Sequence, residues 1–256
     1  MDIGITYGIV TDGADFHRIE AIINSLGNNG IPENKYQIIV VGGGSVCGKN
    51  VLHIPFDEST KVGWITRKKN LITKHALFDN IVYSHDYICP ELSWYRGMCE
   101  FGDDFDVCCN RILTVGGGRF RDWILSAARL EQLSSYLSIP LRRNEGLLPY
   151  HITHLNHFVI VGGYYWVAKK KVMEEFPLEE KLSWGDGEDY RWFHAVQVKY
   201  RVAINSHASL RLLKLKNPWF VPIDQDKVTE LEALRVPVGD LKNDYPYYEY
   251  CKPIDW

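Results

Sequence analysis

The sequence of 256 residues lacks a long apolar run. Its longest, Phe158 to Ala168, falls well short of the roughly 20 residues a membrane-spanning helix needs, so no transmembrane segment is expected. No charge of one sign dominates: 29 Lys and Arg stand against 32 Asp and Glu, a net charge of -3. A nucleic-acid footprint is strongly basic, so no nucleic-acid partner is expected either. No basic segment precedes an apolar one around Met1–Ile5, which argues against a signal peptide. The 6 cysteines show no C-x-x-C spacing; a reduced, cytoplasmic chain fits, with Cys108 and Cys109 as small apolar residues rather than a redox pair.

Several catalytic signatures are missing as well. Gly42-Gly43-Gly44-Ser45 does not continue into G-x-G-x-x-G, and the stretch Gly44 to Asn50 lacks both the first glycine and the final Ser or Thr of a P-loop. There is no H-E-x-x-H and no G-x-S-x-G. Dinucleotide binding, P-loop ATP hydrolysis, zinc proteolysis and serine hydrolysis are all unsupported.

What is present is an ordinary globular balance, 46% hydrophobic and 24% charged, with 13% aromatics that include 8 Trp and 15 Tyr. Surplus aromatics pack cores and also line sites for sugar rings. The first half alternates strand and helix signals. Ile3–Val10, Tyr36–Val41, His53–Phe56 and Asn80–Tyr83 read as strands. Asp15–Leu26 and Thr66–Ala76 carry apolar residues at helical spacing. That order implies an α/β fold with a mostly parallel central sheet flanked by helices. In the second half, Asp106–Leu113, Leu155–Val161, Tyr164–Ala168 and Tyr200–Ile204 read as strands, and Arg121–Ala128, Lys169–Glu175 and Gly187–Val198 as helices. The proline-bearing tail from Lys214 reads as an irregular wrap. No domain boundary stands out, and one domain is expected. Within it a nucleotide-binding half over 1–115, a substrate-binding half over 116–215 and an extension over 216–256 packed on the domain are expected.

Ligands of such sheets bind beyond the carboxyl ends of the strands, which directs attention to Thr11, Asp12, Gly43, His85 and Asp86. A carboxylate at a strand end can hold Mn²⁺ or Mg²⁺ against phosphates; a loop aspartate can equally just make a turn. The D-x-D at Asp104-Phe105-Asp106, preceded by Asp103, follows no apolar strand and reads as a solvated loop. Arg67, Lys68, Lys69 and Asn70 open a helix, where basic side chains and free N–H groups attract phosphate; a solvated basic surface is the plainer alternative. Glu188 and Asp189 also open a helix, where acids compensate the helix dipole; in a site they can orient a hydroxyl and take its proton. His207, after a strand, is a possible Mn²⁺ or Zn²⁺ ligand or a structural histidine.

Five blocks in order then carry a resemblance: Trp64–Asn70, Ile81–Ile88, Gly118–Trp123, Gly162–Ala168 and Trp184–Trp192. The sequence resembles nucleotide-sugar glycosyltransferases of the GT-A fold over most of residues 3–215, and is most similar to a small branch found in bacteria and large viruses. The resemblance implies a cytoplasmic enzyme (host cytoplasm for a viral source) that moves a hexose or deoxyhexose from a nucleoside diphosphate sugar, UDP ahead of GDP or dTDP, to a glycan hydroxyl in polysaccharide biosynthesis. By position it implies a nucleotide site at Thr11, Asp12, Gly43, Arg67, Lys69, Asn70 and His85. It implies Mn²⁺ or Mg²⁺ on Asp86 and His207. Asp122, Trp123, Gly162, Gly163 and Trp184 would lie near donor sugar or acceptor. Asp189 would be the base, with Glu188 next, if the reaction inverts; if it retains, these acids would position the sugar. Tyr164, Tyr165, Trp166 and Trp184 would be free to pack on sugar faces. The pattern departs at Ser84 and His85, which replace the first acid and middle residue of the usual D-x-D, and at Gly42-Gly43, where an acid often stands. Two alternatives remain: a sugar-phosphate nucleotidyltransferase, although Gly8–Asp15 lacks the Arg such enzymes carry, and a non-catalytic nucleotide- or carbohydrate-binding module.

Overall fold

The computed structural model describes residues 2–236. Strand β1 (Ile5–Val10) leads to helix α1 (Phe16–Gly27), β2 (Tyr36–Gly42), β3 (Val51–Pro55), α2 (Ile65–His75) and β4 (Asn80–His85). There follow β5 (Ile88–Pro90), α3 (Trp94–Phe101), β6 (Val107–Leu113), β7 (Ile124–Leu125), α4 (Ala127–Ser134), β8 (Glu145–Leu147) and β9 (Val159–Ile160). The last elements are β10 (Tyr165–Lys169), α5 (Lys170–Glu175), α6 (Glu188–Gln197), β11 (Val202–Leu212), β12 (Val221–Pro222) and α7 (Gln225–Ala233).

Eight strands make one sheet in the order β3-β2-β1-β4-β10-β6-β11-β5, and a smaller sheet runs β12-β8-β7-β9. Strands β3, β2, β1 and β4 are mutually parallel, as are β6 and β11. Strand β10 is antiparallel to both β4 and β6. That reversed strand between them leaves β1, β2, β3, β4, β6 and β11 pointing the same way, and β5 at the far edge is antiparallel to β11. The carboxyl ends of the parallel strands therefore share one edge with the start of β10. This is the α/β, mostly parallel architecture expected from the strand and helix order.

Both faces of the sheet are buried, so its strands read as continuous apolar runs. Ile5, Tyr7 and Ile9 of β1 pack with Ile19, Ile22 and Leu26 of α1 and Trp94 and Met98 of α3. On the other face Ile39, Val41, Ile81, Tyr83 and Trp166 pack with Ile72 of α2, Val172 of α5 and Phe193 of α6. Asp15 caps α1 by accepting the Arg18 N–H at 3.3 Å.

Four sequence expectations are corrected. The helix expected at Arg121–Ala128 is a bend and a strand up to Leu125, with α4 starting at Ala127. Trp123, Ile124 and Leu125 are all buried, which a one-sided surface helix does not allow, and β7 pairs on both sides with β8 and β9. Of the strand expected at Leu155–Val161, only Val159–Ile160 pairs, after a 3₁₀ turn at Asn156–Phe158. Strand β11 does not stop at Ile204. Asn205-Ser206-His207 is a bulge, after which pairing with β6 resumes at Ser209. Buried Asn205 organises it, accepting from His207 N at 3.0 Å and Ala208 N at 3.3 Å and donating to the Gly97 carbonyl at 3.3 Å. The tail is not irregular throughout: α7 buries Val228 and Leu231, and buried Lys227 meets buried Glu145 at 2.5 Å. Pro237, Pro246 and Pro253 lie outside the described residues.

The bulge makes Gly97 a close-packing position, because a Cβ there would overlap the His207 carbonyl and the Ala208 nitrogen. Both are backbone atoms and cannot swing aside. We expect Gly97→Ala to destabilise by about 2–3 kcal/mol and to lower the melting temperature by roughly 4–12 °C. A melt within experimental error of the wild type would show that α3 slides away from β11 freely.

Candidate active site

The shared carboxyl edge gathers two groups of polar side chains. The first forms where β1 and β4 end. Thr11 keeps its backbone in register by donating to Val41 O at 3.1 Å. Its hydroxyl donates to Asp86 Oδ2 at 2.7 Å and accepts from Gly13 N at 2.9 Å. Asp12 accepts from Ala14 N at 2.9 Å. Gly13 has φ +81° and its missing Cβ would fall 2.9–3.1 Å from the Gly43 backbone, so the loops after β1 and β2 touch there. Burial raises the pKa of the half-buried Asp86 carboxyl. The Thr11 bond, Lys214 and Arg18 oppose that rise, and the charge of Asp12 adds to it.

His85 points into the same region. Burial, with Lys69, Lys216 and Lys214 nearby, pushes its pKa well below the ordinary histidine value, so the ring is neutral. Its Nε2 is buried with no partner among the described residues. A buried, unpaired ring nitrogen is costly in a finished fold and is what a ligand-binding position leaves behind.

Strand β11 delivers a third contribution that sequence reasoning missed. Leu213 N donates to Tyr87 O at 2.8 Å, which brings Lys214 and Lys216 over the Tyr87 ring at 4.3 and 4.2 Å. Lys216 Nζ also donates to the Tyr87 hydroxyl at 3.0 Å. Burial, together with Lys214 and Arg121, lowers the Lys216 pKa to about 8, with Asp86 opposing the shift. Arg121 donates to the carbonyls of Pro218 at 3.0 Å and Asn217 at 2.8 Å, fastening the segment that carries both lysines. The available signal was the alternation Lys214-Leu215-Lys216 directly beyond a strand, hidden because the strand seemed to end before the bulge.

The second group faces it from α6 and the start of β10. Gly187 takes the left-handed φ of +71° as N-cap, which places Glu188 and Asp189 in the first turn. Asp189 is tied down: Oδ2 accepts from Gly163 N at 2.5 Å and Oδ1 from Tyr190 N at 2.9 Å. Glu188 is buried and takes no side-chain donor among the described residues. Burial, and then the charge of Asp189, raise its pKa to about 7, with Lys69 opposing. Lys69 is fully buried, with Nζ on the Gly163 carbonyl at 2.6 Å and 4.2 Å from the centre of the Trp166 ring. Burial lowers its pKa to about 8 against the pull of Glu188 and Asp189.

Other expected site residues are placed differently. Lys68, not Lys69, serves the β1 edge, donating to Thr11 O at 2.7 Å and pairing with Glu58. Arg67 is paired with Glu180 at 2.9 Å, and Asn70 bonds Leu178 O at 2.9 Å and Glu180 at 3.0 Å, so both brace the 178–182 loop. Trp123, Tyr165 and Trp166 are buried in the core and present no ring to a sugar. Trp184 is 66% exposed. Gly162 lies under Tyr164, whose ring would meet a Cβ there. Asp122 is buried and fully engaged by Ile112 N, Trp123 N, Arg119 and Tyr150. Asp103, Asp104 and Asp106 pair with Lys169, Arg201 and Lys171 around the amino end of β6.

His207 is not beside Asp86. It sits in the bulge with Nδ1 3.7 Å from Glu100. From Ser209 to Leu213, where the strand meets Tyr87, is already about 13 Å at ~3.3 Å per residue. Ligands of one ion lie within about 2–2.6 Å of it, so Asp86 and His207 do not share one. Among the described residues no three His, Cys, Asp or Glu side chains form a metal-holding group. Asp86 feels one acidic neighbour among the described residues, Asp12, and faces Lys214 and Arg18. This donor set does not fit a resident divalent cation.

No protein-family model matches the sequence, and no curated protein is significantly similar to it. Solved structures are similar in fold. Residues 1–349 of S. aureus TarS in complex with UDP-GlcNAc match with a TM-score of 0.56 at 12% identity, over 90% of this chain and 64% of that one. S. aureus TarS itself matches with a TM-score of 0.55 at 13% identity, over 83% of this chain and 37% of that one. GalNAc-T7 with UDP, GalNAc and Mn²⁺ matches with a TM-score of 0.59 at 10% identity, over 90% and 48%. The chain thus spans less than two thirds of the length of each. These likenesses establish the fold, which is the GT-A-like fold of these glycosyltransferases. No helix among the described residues is long and apolar enough to cross a membrane.

Proposed function

We propose that the chain is a glycosyltransferase that moves a hexose or deoxyhexose from a nucleoside diphosphate sugar to a hydroxyl of a glycan acceptor, as in polysaccharide biosynthesis. The observation that carries this reading is the pairing at one sheet edge of two unlike groups. One is a cation-bearing cluster at Thr11, His85, Asp86, Lys214 and Lys216; the other is a buried carboxylate, Glu188, held near neutrality beside Lys69 and Asp189. The complexes of similar folds with UDP and UDP-GlcNAc favour UDP over GDP or dTDP as the donor nucleotide.

In this reading residues 1–115 bind the nucleotide and 116–215 the acceptor, while the start of the 216–256 extension reaches back to the nucleotide side. The acceptor oxygen forms its bond to the anomeric carbon as the bond from that carbon to the diphosphate oxygen breaks. The electron pair of the broken bond leaves with the diphosphate, and the hydroxyl proton passes to Glu188. A base works best with a pKa close to the working pH, which fits Glu188 at about 7 better than Asp189, whose oxygens serve two backbone N–H groups. The base therefore moves from Asp189, ranked first from sequence, to its neighbour. Exposed Trp184 is the aromatic left to pack on a sugar face.

A melting screen with UDP-, GDP- and dTDP-sugars tests this. At 100-fold over its dissociation constant a bound donor adds about 2.7 kcal/mol, or roughly 5–10 °C for a chain of this size, and slow release of the nucleoside diphosphate should accompany it. No shift and no release with any donor would refute the reading.

A further inference from the structure

Transfer leaves one further negative charge on the departing diphosphate, and something must neutralise it. The expected answer was a divalent cation on Asp86 and His207, but the structure separates those residues and lines the edge with cations instead. Resting on the glycosyltransferase reading, we propose that Lys214 and Lys216 on the segment after β11, fastened by Arg121, hold the diphosphate and neutralise it as it leaves, in place of a metal ion.

Lys214 and Lys216 approach one ring, that of Tyr87, at 4.3 and 4.2 Å, although like charges repel. Arg121 adds a third positive group close enough to act on Lys216, and Asp86 is the carboxylate that faces them. Such an arrangement is incomplete without an anion. Lys216 is steered by its bond to the Tyr87 hydroxyl, whereas Lys214 makes no hydrogen bond or ion pair among the described residues. Its ammonium is thus available to a ligand. The buried, unpaired His85 Nε2 lies on a ring that feels the charges of both lysines. The parallel strands fix the place, since the carboxyl ends of β1 and β4 meet these lysines only because β11 runs past its bulge to Leu212. Arg121 acts here as a positioning residue. Its hydrogen bonds to Asn217 and Pro218 leave the phosphates to the lysines and set where the segment lies.

Each ammonium on a phosphate oxygen makes a charge-assisted hydrogen bond. Asp86 has a different task, holding Thr11 and balancing Lys214 so that the lysines do not repel each other out of the edge.

The test is calorimetric titration of UDP, GDP and dTDP into the full chain, in EDTA and in Mn²⁺. We expect the nucleotide that binds to do so in EDTA within about threefold of its affinity in Mn²⁺, a difference of under ~1 kcal/mol. Lys214→Met should weaken it roughly tenfold, and Lys214→Met with Lys216→Met further. Lys214 gives up only its contact with the Tyr87 ring and its pull on Asp86, so the single variant should melt within a few degrees of the wild type and keep the test valid if the double variant does not fold. Binding that appears only with Mn²⁺, or an unchanged affinity in Lys214→Met, would overturn the inference and leave the nucleotide site standing. If none of the three binds under either condition, the glycosyltransferase reading itself falls, and this inference with it.

Discussion

Glu188→Gln is expected to reduce sugar transfer by roughly 10²- to 10⁴-fold, the range for loss of a general base, while nucleoside diphosphate binding changes by no more than about twofold. The isosteric amide keeps the packing of α6 but cannot take a proton. The wild-type rate should rise with pH and level off above about 7, because Glu188 works as a base when ionised and burial holds its pKa there. The variant should show no such rise.

Stability provides the control. The folded-state pKa of Glu188 is raised from 4.5 to about 7, so its contribution to stability is fully present below pH 4.5 and lost as pH rises through 7. At pH 8 the wild type carries a buried, ionised carboxylate at a cost on the order of 3 kcal/mol at most. Glutamine removes that charge, so the variant should melt no lower than the wild type at pH 8. Lost transfer with an intact or higher melting temperature identifies the base. A variant that transfers at near wild-type rate, while Asp189→Asn does not, would return the role to Asp189.

The sheet was legible because its strands are buried on both faces. Ile38, Ile39, Val40 and Val41 form an unbroken apolar run, and alternation with amphipathic α1 and α2 then fixes the class. The place of Thr11 and Asp86, side by side where two such runs end, was legible for the same reason. The illegible parts share a different cause. Strand β7 is two residues long, too short to show a period. Lys68 and Lys69 are neighbours in sequence, but about 100° apart around a helix, so one reaches the Thr11 carbonyl and the other Gly163. Choosing between them needed the position of α2 against β10. The lysines after β11 were lost because Asn205-Ser206-His207 is polar and turn-like in sequence, and only packing against Gly97 shows it to be a bulge inside a strand. In each case the deciding contact spans many residues and leaves no local pattern.

Asp122→Ala is expected to lower the melting temperature sharply, by roughly 6–20 °C, because breaking a buried ion pair from one side costs about 3–5 kcal/mol. The carboxylate accepts from Ile112 N at 3.0 Å, Trp123 N at 2.7 Å, Arg119 Nε at 2.7 Å and the Tyr150 hydroxyl at 2.6 Å. Alanine leaves all of these donors without that acceptor in a buried setting. Its oxygens are thus occupied by the protein, which gives the acid expected near the donor sugar a structural task. Tyr150→Phe removes one donor and should cost only about 1 kcal/mol. If Asp122 instead contacted the sugar, Asp122→Asn would melt like the wild type and lose transfer, and that result would displace the structural role. The consequences reach the site by another route. Asp122 fixes the turn that carries Arg121, and Arg121 holds the carbonyls of Asn217 and Pro218 behind the lysine pair. In the milder Asp122→Asn variant, nucleotide affinity in EDTA should therefore fall along with the melting temperature, because the turn that places the lysines has loosened.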